Sequence, residues 1–169
     1  MDERSSALFE RMRQRHFPPD RNFIPAHLTL FHNLPGDAIE SITRVLGDLA
    51  RAQAPIPLEA ASLRFLGRGV AFAISSPGLV AFRGDLAERW SQWLTAQDRQ
   101  PFQPHVTIQN KVSPSEARAL HDRLSREFER FPIEGPGLLL WRYLGGPWEQ
   151  AGAFPFTAVR WDCEPPARE

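Results

Sequence analysis

Two short stretches place an imidazole and a hydroxyl two residues apart: His27-Leu28-Thr29-Leu30 and His105-Val106-Thr107-Ile108. Side chains alternate across an extended strand, so each His shares a face with its Thr while the aliphatic neighbours bury on the other. With 5 His in 169 residues and as many Thr, the chance expectation for His-x-Thr is on the order of 0.15 occurrences, and two copies are a pattern. Two imidazoles on opposite sides of one bound group suit in-line displacement at phosphorus. A neutral one takes the proton of the attacking water or hydroxyl and a protonated one supplies the departing oxygen, tasks that both want a pKa of about 6.5 to 7. The Thr hydroxyls can donate to the nonbridging oxygens, whose charge changes in the transition state. His27, His105, Thr29 and Thr107 are therefore the candidate catalytic set. The chemistry needs no metal, and each strand supplies a single imidazole with no Asp, Glu or Cys at ligand spacing nearby.

The elements that must position these residues read as a repeat. A helix over residues 6–15 carries Leu8, Phe9 and Met12 on one face and stops at Pro18-Pro19; the first motif strand follows at 26–31. Asp37, with Glu40 three residues on, predicts a capped helix bearing Ile39, Ile42, Leu46 and Leu49. Runs at 56–66 and 69–75, joined by Gly67-Arg68-Gly69, predict a hairpin, and a helix over 78–94 presents Leu79, Phe82, Leu86, Trp90 and Trp93. The order then restarts with the second motif strand at 104–109 and a helix opened by Ser113, Pro114 and Glu116, with Ala117, Leu120, Leu124 and Phe128 as its apolar stripe. Strands at 133–144 and 154–161 close the chain around a Gly145-Gly146-Pro147 break. Strand, capped helix, strand, strand thus occurs twice, with repeats starting near 26 and 104. The expected class is α+β: a two-lobed pseudo-symmetric duplication of antiparallel sheets, helices on the outer face and a central cleft. Residues 1–163 form the expected single domain and 164–169 a tail.

Composition narrows the class. Twenty Lys+Arg balance 20 Asp+Glu, so no global positive field favours long nucleic acid, and binding to long duplex is not expected; an RNA partner would be recognised at an end or as a nucleotide. The single cysteine cannot form an intramolecular disulfide, and the charged N-terminus holds no apolar run, so a soluble protein of the reducing cytoplasm is the expectation, with no membrane partner and no cofactor.

At the segments Arg15-His16-Phe17-Pro18-Pro19, Pro25-Ala26-His27-Leu28-Thr29-Leu30-Phe31-His32 and Pro104-His105-Val106-Thr107-Ile108-Gln109-Asn110-Lys111, the chain resembles the two-histidine (2H) phosphoesterase superfamily. It is most similar there to the bacterial 2′-5′ RNA ligase branch, also known as RNA 2′,3′-cyclic phosphodiesterases. The resemblance covers most of the chain. It implies a two-lobed α+β duplication around a cleft, RNA ends or nucleotide cyclic phosphates as partners, and His27 as proton donor with His105 as acceptor; the sequence itself leaves that order open. Relatives usually start with a strand before their first helix, whereas this sequence opens at the helix. A sheet edge of the first lobe is then expected to be covered by the C-terminal segment, a partner chain or preceding residues.

Four further residues are candidate substrate contacts. Lys111 follows the second motif and could approach a phosphate; Tyr143 and Trp148 could form a base-stacking platform; His16 could line the cleft. His32, His121, Arg64 and Arg68 read as solvated. The expected function is opening of a 2′,3′-cyclic phosphate on RNA or a nucleotide, with reversible 2′-5′ ligation as a companion activity. The alternatives are a nucleotide-binding module without turnover and a cyclic phosphodiesterase for a small nucleotide such as an ADP-ribose cyclic phosphate.

Overall fold

The computed structural model describes residues 1–159, so the expected tail and the last two residues of the final predicted strand lie outside the described residues. The chain forms four α-helices, α1 (Glu3–His16), α2 (Ile39–Ala52), α3 (Pro77–Arg89) and α4 (Pro114–Glu127). Six strands accompany them: β1 (Ile56–Phe65), β2 (Val70–Ser75), β3 (His105–Gln109), β4 (Phe131–Gly135), β5 (Gly137–Tyr143) and β6 (Trp148–Pro155). This is the expected α+β class, with every named strand pair antiparallel.

One sheet has the order β3-β2-β1-β4 and the other is the β5–β6 hairpin. Helices α1 and α4 pack on the first sheet and α2 on the hairpin. The helices bury the stripes that their periodicity marks: Ile42 and Leu46 of α2, Leu79, Phe82 and Leu86 of α3, and Ala117 and Leu120 of α4 are all nearly inaccessible. Phe9 of α1 stacks edge-on against Phe72 of β2 at 5.1 Å, joining helix and sheet at the centre of the core.

Helix ends follow local rules unevenly. Ser113 accepts from the Glu116 N–H while the Glu116 carboxylate accepts from the Ser113 N–H, the expected capping box at α4, worth about 1 kcal/mol. The box expected from Asp37 and Glu40 does not form: residues Gly36–Ala38 make a 3₁₀ turn, α2 starts at Ile39, and no side chain caps it. The hairpin at Gly67-Arg68-Gly69 forms as expected, closed by Leu66 N–H donating to Gly69 O at 2.9 Å with Gly67 at φ +80°. The strand expected over 133–144 is instead two strands in different sheets. Pro136 sits between β4 and β5, where the missing N–H leaves one position without a ladder donor as the chain passes from one sheet to the other.

Candidate active site

The second motif occupies β3, where Val106 and Ile108 are fully buried while His105 and Thr107 remain partly exposed, the alternation that places imidazole and hydroxyl together. The first motif is not a ladder strand. It touches β3 through one antiparallel bridge, Leu28 to Val106. Side chains take over the backbone groups around it: Glu10 accepts from Ala26 N–H, Arg13 donates to Ile24 O, and Asp98 accepts from the N–H groups of His32 and Asn33.

That bridge fixes the register. With Leu28 opposite Val106, His27 falls across from Thr107 and Thr29 across from His105, so each imidazole is paired with the hydroxyl of the other motif. On the second motif His105 and Thr107 leave the face opposite the buried Val106, and the bridge brings Leu28 of the first motif beside Val106.

The histidines are held alike. His27 Nδ1 lies 2.7 Å from Pro25 O, and His105 Nδ1 lies 2.8 Å from Gln103 O. A carbonyl oxygen only accepts, so each Nδ1 carries the proton and each Nε2 is left free to take or release one. Burial pushes His27 below the ordinary imidazole value; the bond to Pro25 O opposes this, and the positive charge of Arg13 and the neighbouring His105 add to it. Proximity of the two imidazoles is thus felt electrostatically.

Two arginines that the sequence did not single out clamp the motifs. Arg13 of α1, 4% exposed, donates to Thr107 O at 2.9 Å, to Ile24 O at 3.2 Å, and through both Nε and Nη2 to Asn22 Oδ1, with its guanidinium 4.3 Å from the Phe17 ring centre. Arg83 of α3 reaches Leu30 O at 3.5 Å and donates to Asp98 O, its guanidinium lying over Phe31 and Phe102. Each helix thereby ties one motif to the connection that leads into the other. A spacing search could not find this, because both arginines lie on helices rich in charge.

Asp98, 2% exposed, is a second such residue. Its carboxylate accepts from His32 Nδ1 at 2.9 Å and Thr95 Oγ1 at 3.1 Å in addition to the two backbone groups. Burial alone would raise its pKa, but the bonds from His32, Thr95 and Asn33 outweigh it and hold the carboxyl below its usual range. His32, which the sequence reading left solvated, is half-exposed and anchored to Asp98.

The other candidates are dispersed. Lys111 is exposed at φ +62°, just past β3, its N–H donating to Asn110 Oδ1 at 2.8 Å. Tyr143 and Trp148 face each other across the end of the β5–β6 hairpin with ring centres 4.9 Å apart, both exposed. His16 lines a cavity between α1 and α4 that none of the four motif residues lines.

A fold of this order, with paired His-x-Thr segments facing one another, is that of a two-histidine phosphoesterase. Residues 1–147 match the model of the 2′-5′ RNA ligase superfamily, and the chain belongs to that family. That superfamily acts on RNA or nucleotide substrates, and membership supports an enzyme of the phosphoesterase or ligase kind in general. Among solved structures, the crystal structure of TT0787 of Thermus thermophilus is similar over 95% of this chain and 96% of that one, with a TM-score of 0.63 at 16% identity, a likeness of fold. No curated protein matches the sequence. No helix among the described residues is long and apolar enough to cross a membrane.

Proposed function

We propose that the protein opens 2′,3′-cyclic phosphates on RNA ends or nucleotides without a metal ion, with His27 and His105 as the acid/base pair. The observation that supports this reading is the antiparallel Leu28–Val106 bridge, whose register puts His27 opposite Thr107 and Thr29 opposite His105. The cyclic phosphate sits between the imidazoles. One Nε2 removes the proton of an incoming water, the P–O bond to one ribose oxygen breaks, and the other imidazole protonates that oxygen, leaving a phosphomonoester. Thr29 and Thr107 donate to the nonbridging oxygens. With the 5′-hydroxyl of a second RNA end attacking in place of water, the same proton transfers open the cyclic phosphate into a 2′-5′ phosphodiester, and the reverse of that step cleaves the linkage again.

Burial and the nearby positive charges depress His27 and so favour its neutral form in the free protein, the form that accepts a proton from water. The opposite order, with His27 as donor, requires the negative phosphate to restore that proton on binding. Among the described residues no three His, Cys, Asp or Glu side chains gather to hold a metal ion. Incubation with 2′,3′-cyclic nucleotides and a cyclic-phosphate-ended oligonucleotide in EDTA tests the reading. Hydrolysis is expected to persist; activity lost on chelation and restored by one divalent ion would replace it with metal-assisted hydrolysis.

A further inference from the structure

The register of β3 against β2 shifts at its end: Ala71 pairs with Thr107, but the next β2 residue, Val70, pairs with Gln109, so two residues of β3 answer one of β2. Such a bulge re-aims a side chain. Ile108 and Gln109 are both buried, and Gln109 leaves the His105/Thr107 face for the helix side of the sheet. There it lines a cavity of about 450 Å³ between the end of α1 and the first turns of α4, within the roughly 300–1,000 Å³ of small-ligand pockets.

Gln109 is 7% exposed, and its Oε1 is buried with no hydrogen-bond partner among the described residues. Buried amide oxygens are nearly always satisfied, so this one marks a place for a donor. Around the same cavity stand Arg15, His16 and Arg123. Burial, then the positive charges of Arg123 and Arg15, depress His16, so two guanidiniums stand beside an imidazole that favours its neutral form. Neither arginine makes an ion pair or hydrogen bond among the described residues. The lone carboxylate lining the cavity, Glu116, is engaged by the N–H and hydroxyl of Ser113 at the α4 cap. Arg15 and Arg123 outnumber the single Glu116 carboxylate, and a net positive rim over the unpartnered Gln109 Oε1 fits an anion carrying its own hydrogen-bond donor. Phe17 and Leu120 add apolar wall.

We propose that this cavity is a second ligand site, behind the motif strand, for a phosphomonoester borne on a nucleoside: the phosphate meets Arg15, His16 and Arg123, and a sugar hydroxyl or base amino group donates to Gln109 Oε1. The phosphomonoester can come from a free nucleotide or from the 5′ end of an RNA. The site stands whether or not the cyclic-phosphate reading holds.

Isotope-labelled full-length protein is titrated with AMP, inorganic phosphate, and 5′-phosphorylated and 5′-hydroxyl oligonucleotides while the Gln109 side-chain amide and His16 ring resonances are followed. AMP is expected to shift both; the paired oligonucleotides identify the source, since only the phosphorylated end should compete. Arg15→Ala with Arg123→Ala should weaken AMP binding by about tenfold or more, with cyclic-nucleotide turnover unchanged. Gln109→Leu should keep or raise the melting temperature, because no hydrogen bond is lost, yet weaken AMP binding. Shifts confined to His27 and His105, affinity indifferent to the double substitution, or equal binding of inorganic phosphate and AMP would overturn the proposal.

Discussion

Arg13 Nη1 donates to the carbonyl of Thr107 at 2.9 Å, across 94 positions of sequence, so the first helix holds the strand that presents the second motif. Arg13→Met would leave the carbonyls of Thr107 and Ile24 and the Asn22 amide without their donor, and should cost about 2–5 kcal/mol in denaturant unfolding. Arg13→Lys keeps the charge but not the fork, and should recover little of that loss. If instead Arg13→Met melted like the parent protein, the clamp would have no structural role.

Asp98 should behave as the matching anchor on the other side. Asp98→Asn weakens the bonds from His32, Asn33 and Thr95, and is expected to lower stability by about 1–3 kcal/mol. Its carboxyl is depressed in the folded state, so its contribution is full above its unfolded pKa of about 3.9 and is lost as pH falls through the folded value. Acid unfolding of the Asn variant should accordingly be less steep below about pH 4; parallel curves would remove Asp98 from the account.

His27 and His16 give a second pH window. Both are depressed on folding, so the unfolded chain binds their protons more readily, and their contribution is full above about 6.5 and declines as pH drops through the folded values. The melting temperature should fall between about pH 7 and pH 5, and His27→Gln with His16→Gln should flatten that slope. An unchanged slope would contradict the burial of these imidazoles.

Gly69 is tested by sterics. A Cβ there would collide with the Gln109 carbonyl and come within 2.7 Å of the Asn110 Cα, both backbone, so the β1–β2 hairpin cannot accept it beside β3 without moving the strand. Gly69→Ala should destabilise by about 1–3 kcal/mol and lower turnover, whereas Gly36→Ala, with open space around it, should do neither.

Local signals carried much of this protein. His-x-Thr twice at repeat spacing marked the two segments that the Leu28–Val106 bridge brings side by side, and Ser113-Pro114-Ser115-Glu116 specified a cap that forms. What escaped depends on partners distant in sequence. Asp37 looked like a cap, but the 3₁₀ turn beneath it takes the chain into α2 without one. Residues 26–31 alternate like a strand, yet they meet β3 at a single bridge and leave their flanking backbone groups to Arg13, Glu10 and Asp98, none of which a strand pattern could announce. The re-aiming of Gln109 arises from cross-strand register, which no single segment encodes.

The phosphate donors should matter less than the imidazoles. Thr29→Ala and Thr107→Ala are each expected to lower kcat roughly 10- to 10³-fold without moving the pH limbs, since a hydroxyl donor weakens charge stabilisation but titrates nothing in this range. A displaced limb would show that the hydroxyl tunes a histidine.

The most direct test of the acid/base account is the pH profile of cyclic-nucleotide hydrolysis for the parent protein, His27→Ala and His105→Ala, measured in EDTA. The parent should give a bell, and each single substitution should lower kcat by about 10²- to 10⁴-fold while leaving nucleotide affinity nearly intact, the double variant losing far less than the product of the two. With His27 as base, the parent's acidic limb in kcat/KM lies below about 6.5 and vanishes in His27→Ala, while His105→Ala loses the alkaline limb. Near-parental turnover in both single variants, with nucleotide affinity collapsed, would make the two histidines binding groups and contradict the account.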